Sequence, residues 1–260
     1  MWGRLMLLRC DVSVADRYTS QTQRSRVLSE AWFQSNAYCL SCESDNLCAT
    51  MANTKATDFT CPNCDQRYEL KTFRNRPKRT LVDGAYSALM GRIISGSVPT
   101  LMMLERNDEW EIQSLTAIHN LFLTPNVVQQ RKPLSATARR AGWVGCNIRL
   151  DRIANDAQIE VVGPHGANEP RLVRDAFQQF NKLRRIDPRS RGWTTLALRI
   201  VLSLEKDVFT LGDLYGREDQ FADEYPDNKN IRPKIRQQLQ VLRGLGYLHF
   251  IGNGVYRLQA

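Results

Sequence analysis

The sequence predicts an α/β domain that carries an inserted four-cysteine ribbon, followed by a smaller, helix-rich domain. Three observations support this. Two C-x2-C pairs, Cys39/Cys42 and Cys61/Cys64, stand eighteen residues apart. Around them, short apolar runs of strand character alternate with helical stretches. Later the pattern becomes three helices and a glycine-turned hairpin. The break Asp187-Pro188-Arg189-Ser190-Arg191-Gly192 separates the two parts, giving domains at 1–186 and 187–260.

Residues 1–15 read as a strand or an extension. From Ser20 to Ser35, Val27, Leu28, Ala31 and Trp32 recur at helical spacing and predict a helix leading into the ribbon. Four thiolates in two close pairs suit a tetrahedral Zn²⁺, so Cys39, Cys42, Cys61 and Cys64 are the expected structural zinc ligands. Cys48 lies inside the ribbon loop, but the C-x2-C pairing makes Cys42 the tighter geometric choice. Seven cysteines are an odd number, and with this spacing they argue for metal in a reducing compartment against a disulfide frame. Cys10, Cys48 and Cys146 receive no role.

The second knuckle also separates three charged residues: Asp58, ten residues, Glu69, one residue, Lys71. Residues two apart on a strand share a face, so Glu69 and Lys71 lie together. A hairpin centred between Asn63 and Cys64 sets Asp58 opposite Glu69. Opposed carboxylates repel, and a hard cation such as Mg²⁺ between them explains the pair. Lys71 then orients or deprotonates a water, which suits metal-assisted phosphodiester hydrolysis. The bland reading is a solvated strand face.

After Lys71 comes Arg74-Asn75-Arg76-Pro77-Lys78-Arg79, a basic run beside the proposed metal site that reads as a phosphate-holding loop or as a solvated one. Asp83 reads as the N-cap of a helix through Arg92. Val98–Leu104 predicts a buried strand, and Glu109–Ile112 and Ile118–Leu123 predict further strands or edge pieces of a mixed sheet. From Ile112 through Leu150 there is no acidic residue, while Arg131, Lys132, Arg139, Arg140 and Arg149 accumulate, with His119 and Trp143 among them; this is a nucleic-acid signature. Ser135 is expected to cap a helix to Arg140, and Gly142 and Gly145 place Trp143 on a turn. Residues 163–171 are turn-rich, and Val173–Arg184 is expected to be helical.

In the C-terminal part, Trp193–Leu204 is amphipathic, Thr210 caps a second helix, and Asn230 opens a third that Gly246 closes. Tyr247–Ile251, Gly252-Asn253-Gly254 and Val255–Leu258 form a hairpin. Three helices and a hairpin make a winged helix. Ile235, Leu239 and Leu242 form the core stripe of the third helix. Arg232, Arg236, Gln237, Gln240 and Arg243 lie largely off that stripe, where a major-groove reader needs them. Lys234 joins Arg232, Arg236, Gln237 and Gln240 as an expected DNA contact.

Several stretches together resemble the PD-(D/E)xK nucleases, and among them the DpnI-like methyl-directed restriction endonucleases. They are Lys55–Lys71, Asp83–Tyr86, Gln130–Leu134, Thr137–Ile148, Ser190–Thr194 and Lys234–Arg243, in one order over nearly the whole chain. The resemblance implies a PD-(D/E)xK nuclease core with a zinc ribbon, followed by the winged helix. It implies Mg²⁺ on Asp58, Glu69 and the Leu70 carbonyl, with Lys71 positioning the attacking water. It implies double-stranded adenine-methylated DNA as partner, with methylated GATC as the site, and Trp143 against the methyl groups beside Arg139 and Arg140. Thr57 stands where the motif's proline would be.

A net charge of +9 and a pI near 9.4 suit a polyanionic partner. Leu5-Met6-Leu7-Leu8 is too short for a signal-peptide core, and no apolar run reaches membrane-spanning length, so a cytoplasmic monomer is expected. The alternative is a non-catalytic zinc-ribbon and winged-helix DNA-binding regulator, which leaves Asp58, Glu69 and Lys71 without a role.

Overall fold

The structure is a computed structural model and describes residues 6–51 and 57–259; Leu5, Lys55 and Ala56, which entered the sequence reading, lie outside the described residues. In chain order the elements begin with α1 (Gln21–Asn36), β1 (Cys48–Ala49), β2 (Phe59–Thr60), β3 (Arg67–Phe73), β4 (Thr80–Ala85) and α2 (Tyr86–Ile94). Next come β5 (Thr100–Arg106), β6 (Ile112–Ile118), β7 (Val128–Gln130), β8 (Gly145–Arg149), β9 (Gln158–Gly163), β10 (Gly166–Ala167) and α3 (Pro170–Gln178). The last part holds α4 (Arg191–Leu202), β11 (Val208–Thr210), α5 (Leu211–Tyr215), α6 (Glu218–Glu224), α7 (Ile231–Gly244), β12 (Leu248–Gly252) and β13 (Val255–Leu258).

These elements fall into two compact units. The first comprises the described residues up to Pro77 with Val98–Asn120 and Ala157–Asn181. Its sheet runs β1-β2-β3-β5-β6-β9-β10. β3 and β5 pair in parallel, Glu69 against Leu101 and Lys71 against Met103, and the neighbouring pairs are antiparallel. β5 is buried from Thr100 to Leu104, as its continuous apolar run predicts for a strand covered on both faces. Phe33 of α1 meets Phe59 of β2 at 4.8 Å between ring centroids, and this contact fastens α1 beside the hairpin. The 3-10 turn Val12–Ala15 and an isolated bridge from Arg9 to Glu111 replace the expected strand or extension at the N-terminus.

The second unit comprises Lys78–Ser97, Leu121–Asp156 and the chain from Lys182 onward. It holds the small sheet β4-β8-β7 and the winged-helix elements, whose sheet runs β11-β13-β12. The expected capping of α5 is present as a full capping box between Thr210 and Asp213. Gly246 closes α7 at φ 76°, a left-handed conformation that costs glycine nothing.

Five expectations are corrected. Asp83 is not a helix cap: β4 runs to Ala85 with Asp83 paired to Cys146, and α2 starts only at Tyr86. The strand between the two expected edge pieces is β6, because residues 107–111 form a tight turn, with Trp110 at φ 63°, and Asn120–Phe122 is a 3-10 turn. No helix follows Ser135; residues 131–144 are irregular, since a stretch of six residues cannot meet the cost of nucleation without a packed face. The helix expected over Val173–Arg184 stops at Gln178 and resumes as the 3-10 turn Asn181–Arg185. His119 is not on a nucleic-acid face. It is fully buried and stacks on Phe177 at 4.0 Å, because it directly follows the buried end of β6.

Candidate functional site

The four ribbon sulfurs converge. Each Sγ lies within 4.8 Å of the others, with Cys39–Cys64 at 3.6 Å and Cys42–Cys61 at 3.5 Å. Four sulfurs about 2.3 Å from a tetrahedral Zn²⁺ stand about 3.8 Å apart, so this donor set fits zinc. All seven cysteines are free thiols. Burial pushes the Cys39 thiol up. At Cys61 burial acts upward too, but the N–H groups of Asn63 and Cys64 and the neighbouring thiols outweigh it and bring the thiol to about 7. Burial also pushes the Cys64 thiol up, and a metal binds such sulfurs only as thiolates.

Two buried residues fix the ribbon. Tyr68 of β3 is fully buried, and its hydroxyl accepts the Leu40 N–H at 2.9 Å while lying 3.2 Å from the Cys39 sulfur. Arg174 of α3 is 7% exposed. Its guanidinium donates to the carbonyls of Cys39 at 3.0 Å and Ser44 at 3.2 Å and to the Asp45 carboxylate at 2.9 Å. The sequence offered no local signal for Arg174, which lies 135 positions from Cys39.

Tyr68 looks towards the cysteines, so its neighbours in β3, Glu69 and Lys71, look the other way. The hairpin pairs Phe59 with Tyr68 and Thr60 with Arg67, which centres it between Asn63 and Cys64. Asp58 does not continue that register. Its N–H donates to the Tyr68 carbonyl at 2.9 Å, so Asp58 and Phe59 both oppose Tyr68 and the strand bulges. The bulge aims the Asp58 carboxylate at the Leu70 N–H, which it accepts at 2.8 Å. Leu70 lies between Glu69 and Lys71, and those two form an ion pair at 2.7 Å. Asp58, Glu69 and Lys71 are thereby brought around one peptide unit, all partly buried. The Lys71 ammonium offsets the charge of Glu69.

A further carboxylate lies beside Asp58. Glu30 lies on the inner turns of α1, and partial burial holds its carboxyl above the usual range, with the Asp58 charge adding to the shift against Arg26. Glu30 and Asp58 line one cleft of about 330 Å³ together with Arg26, Gln34, Thr50 and Thr57. Glu30 and Arg26 also line a neighbouring cleft of about 500 Å³ against Leu70 and Thr72. The sequence reading missed Glu30; only the rotation of α1 against β2 reveals it. An all-oxygen donor set of Asp58, Glu69 and a backbone carbonyl suits a hard cation such as Mg²⁺.

The basic loop after Lys71 is partly engaged: Arg74 pairs with Asp108 at 3.0 Å, the Arg76 N–H donates to Glu105 at 3.1 Å, and the Arg76 guanidinium reaches the Thr116 hydroxyl. In the second unit, Arg149 is held by Asp151 through two hydrogen bonds of 2.8 and 2.6 Å. Trp143 is half-buried, with Arg140 over its ring at 4.6 Å, and Arg139 is exposed. A Cβ on Gly145 would meet the Trp143 ring at 2.8 Å, so only glycine lets the indole lie on the backbone there.

On α7, Ile231, Ile235, Gln238, Leu239 and Leu242 are buried, while Arg232, Arg236, Gln237, Gln240 and Arg243 are exposed. Lys234 is half-buried, its ammonium 5.6 Å from the Trp193 ring centre.

A family profile described as "DpnI: Dam-replacing family" matches residues 6–186. A second, described as "Dam-replacing HTH domain", matches residues 189–258. Among the described residues no helix is long and apolar enough to cross a membrane.

Proposed function

The chain belongs to the DpnI family of Dam-replacing proteins, and from that premise we propose that it is a Mg²⁺-dependent type II restriction endonuclease for double-stranded DNA containing 6-methyladenine, with methylated GATC as the site. The observation that carries the catalytic part is the Asp58 carboxylate seated on the Leu70 N–H between Glu69 and Lys71.

Asp58, Glu69 and the Leu70 carbonyl hold the Mg²⁺. When bound, the ion supplies charge neutralisation for the scissile phosphate and acidifies a water. The chain does the rest. The Leu70 N–H fixes one carboxylate oxygen of Asp58 and leaves the other for coordination. Lys71 exchanges its contact with Glu69 for the attacking water and keeps that water in line with the phosphorus. Cys39, Cys42, Cys61 and Cys64 hold a structural Zn²⁺, which ties the hairpin turn to the loop after α1.

Reading is divided in this proposal. Trp143, flanked by Arg139 and Arg140, offers a flat apolar wall to the adenine methyl groups. One methyl is worth only about 1 kcal/mol of burial, so discrimination also draws on α7, where Arg232, Arg236, Gln237 and Gln240 reach base edges and phosphates. Lys234 supports that helix from its place on Trp193. The domains divide at residue 187, and the protein acts as a monomer in the cytoplasm.

The test is a plasmid cleavage assay with adenine-methylated and unmethylated DNA, with and without Mg²⁺. Cleavage of methylated DNA alone, only with Mg²⁺, and reduced at least a hundredfold in Lys71→Ala is the expected result. Specific binding without any cleavage would replace the nuclease reading with a regulator.

A further inference from the structure

Successive residues of an α-helix turn by about 100°, which sorts the exposed arc of α7 into two edges. Arg232, Arg236 and Arg243 follow one another at four and seven positions and share one edge. Gln240 and Gln237 occupy the rest of the arc. The arginine edge is not simply solvated. Arg236 donates to the Tyr215 hydroxyl at 2.9 Å. The Arg232 guanidinium lies 4.9 Å from the centre of the same ring and pairs with Glu218 at 2.7 Å. Tyr215 is the last residue of α5, a helix pinned at its other end by the Thr210–Asp213 capping box. One side chain on a fixed element therefore touches two arginines that stand one turn apart.

A guanidinium that reads a base or a phosphate must arrive with its fork already oriented, since ordering a long side chain on docking costs affinity. Tyr215 supplies that order in two different ways. Its hydroxyl fixes the direction of Arg236, and its ring supports Arg232 as a cation held over the aromatic face. We propose that Tyr215 is a positioning residue for DNA recognition, acting on α7 through Arg236 by its hydroxyl and through Arg232 by its ring. This rests on the reading that α7 contacts DNA.

The experiment is fluorescence anisotropy on the full chain with a duplex carrying one methylated GATC site, in Ca²⁺ so that DNA is bound and not cut. Tyr215→Phe keeps the ring and removes the hydroxyl. Its affinity is expected to fall about fivefold, the value of one hydrogen bond, with an unchanged salt dependence because Arg232 keeps its support. In an Arg236→Ala background the same substitution is expected to change affinity by less than about 1.5-fold, as a double-mutant cycle requires when one residue acts through the other. A fivefold loss that persists without Arg236, or no loss in either background, overturns the proposal. If Arg236→Ala alone binds like the unsubstituted chain, the reading of α7 itself fails, and the single variant shows this separately. Equal thermal midpoints of Tyr215→Phe and the unsubstituted chain exclude a folding defect as the cause.

Discussion

The hairpin at Asp58 and the exposed edge of α7 both present charges suited to a phosphate, yet they secure them by different means. At the hairpin the anchors are backbone groups and buried side chains: the Leu70 N–H on Asp58, the bulge against Tyr68, and Arg174 under the first cysteine knuckle. On α7 the anchors are side chains in water, Glu218 on Arg232 and Tyr215 on Arg236. A backbone anchor cannot be exchanged without opening the sheet, whereas an exposed ion pair gives way at a cost of about 1 kcal/mol or less. The contrast follows the work proposed for each. Bond cleavage tolerates little displacement of the reacting groups. A docking surface instead has to release a competing acid such as Glu218 when DNA arrives, while Tyr215 keeps its hold on Arg236.

Three substitutions probe that contrast. Asp58→Asn keeps the shape and the acceptor for Leu70 but removes a negative charge from the metal site. Cleavage of methylated plasmid is expected to fall by about a thousandfold or more while binding of the duplex stays within about threefold. Activity within tenfold of the unsubstituted protein would remove Asp58 from the chemistry. Arg174→Met comes next. It leaves the Cys39 and Ser44 carbonyls without their buried donor and is expected to cost about 3 kcal/mol of stability, read from the guanidinium midpoint, because charge-assisted hydrogen bonds are lost inside the protein. A midpoint equal to that of the unsubstituted chain would show the ribbon to be held by zinc alone. Glu218→Gln has the smallest effect. Duplex binding should tighten about twofold, equally for methylated and unmethylated DNA, since the change only frees Arg232 from an exposed partner. A change in preference between the two duplexes would mean that Glu218 does more than hold an arginine.

Local rules made part of this legible. The cysteine spacing, the centre of the hairpin, the Thr210 cap and the glycine stop of α7 each depend on residues within one turn or one loop. Glu30, Arg174 and Tyr215 were not legible, because each acts on a partner that the fold, not the sequence neighbourhood, supplies. His119 was misplaced for the same reason: an imidazole among basic residues reads as exposed until Phe177 is seen stacked on it. The irregular path after Ser135 and the extension of β4 over Asp83 show tertiary pairing overriding cap and helix signals. The bulge at Asp58 is the subtlest miss, since the hairpin centre was right and one doubled position changed what the carboxylate touches.

That doubled position also makes the length of the chain beside it matter. Side chains on a strand alternate, so adding or deleting a single residue between Asp58 and Cys61 would turn the carboxylate to the opposite side of the sheet. The stretch after Cys42 is held in a different way. The Ser44 carbonyl and the Asp45 carboxylate take Arg174, and Cys48 and Ala49 pair with Thr60 and Phe59, so a change of length there acts on these contacts and not on the side to which the acid turns. Within one short ribbon, then, the two residues Phe59 and Thr60 set the distance in sequence from the acid to the second cysteine knuckle, and with it the side on which the acid appears.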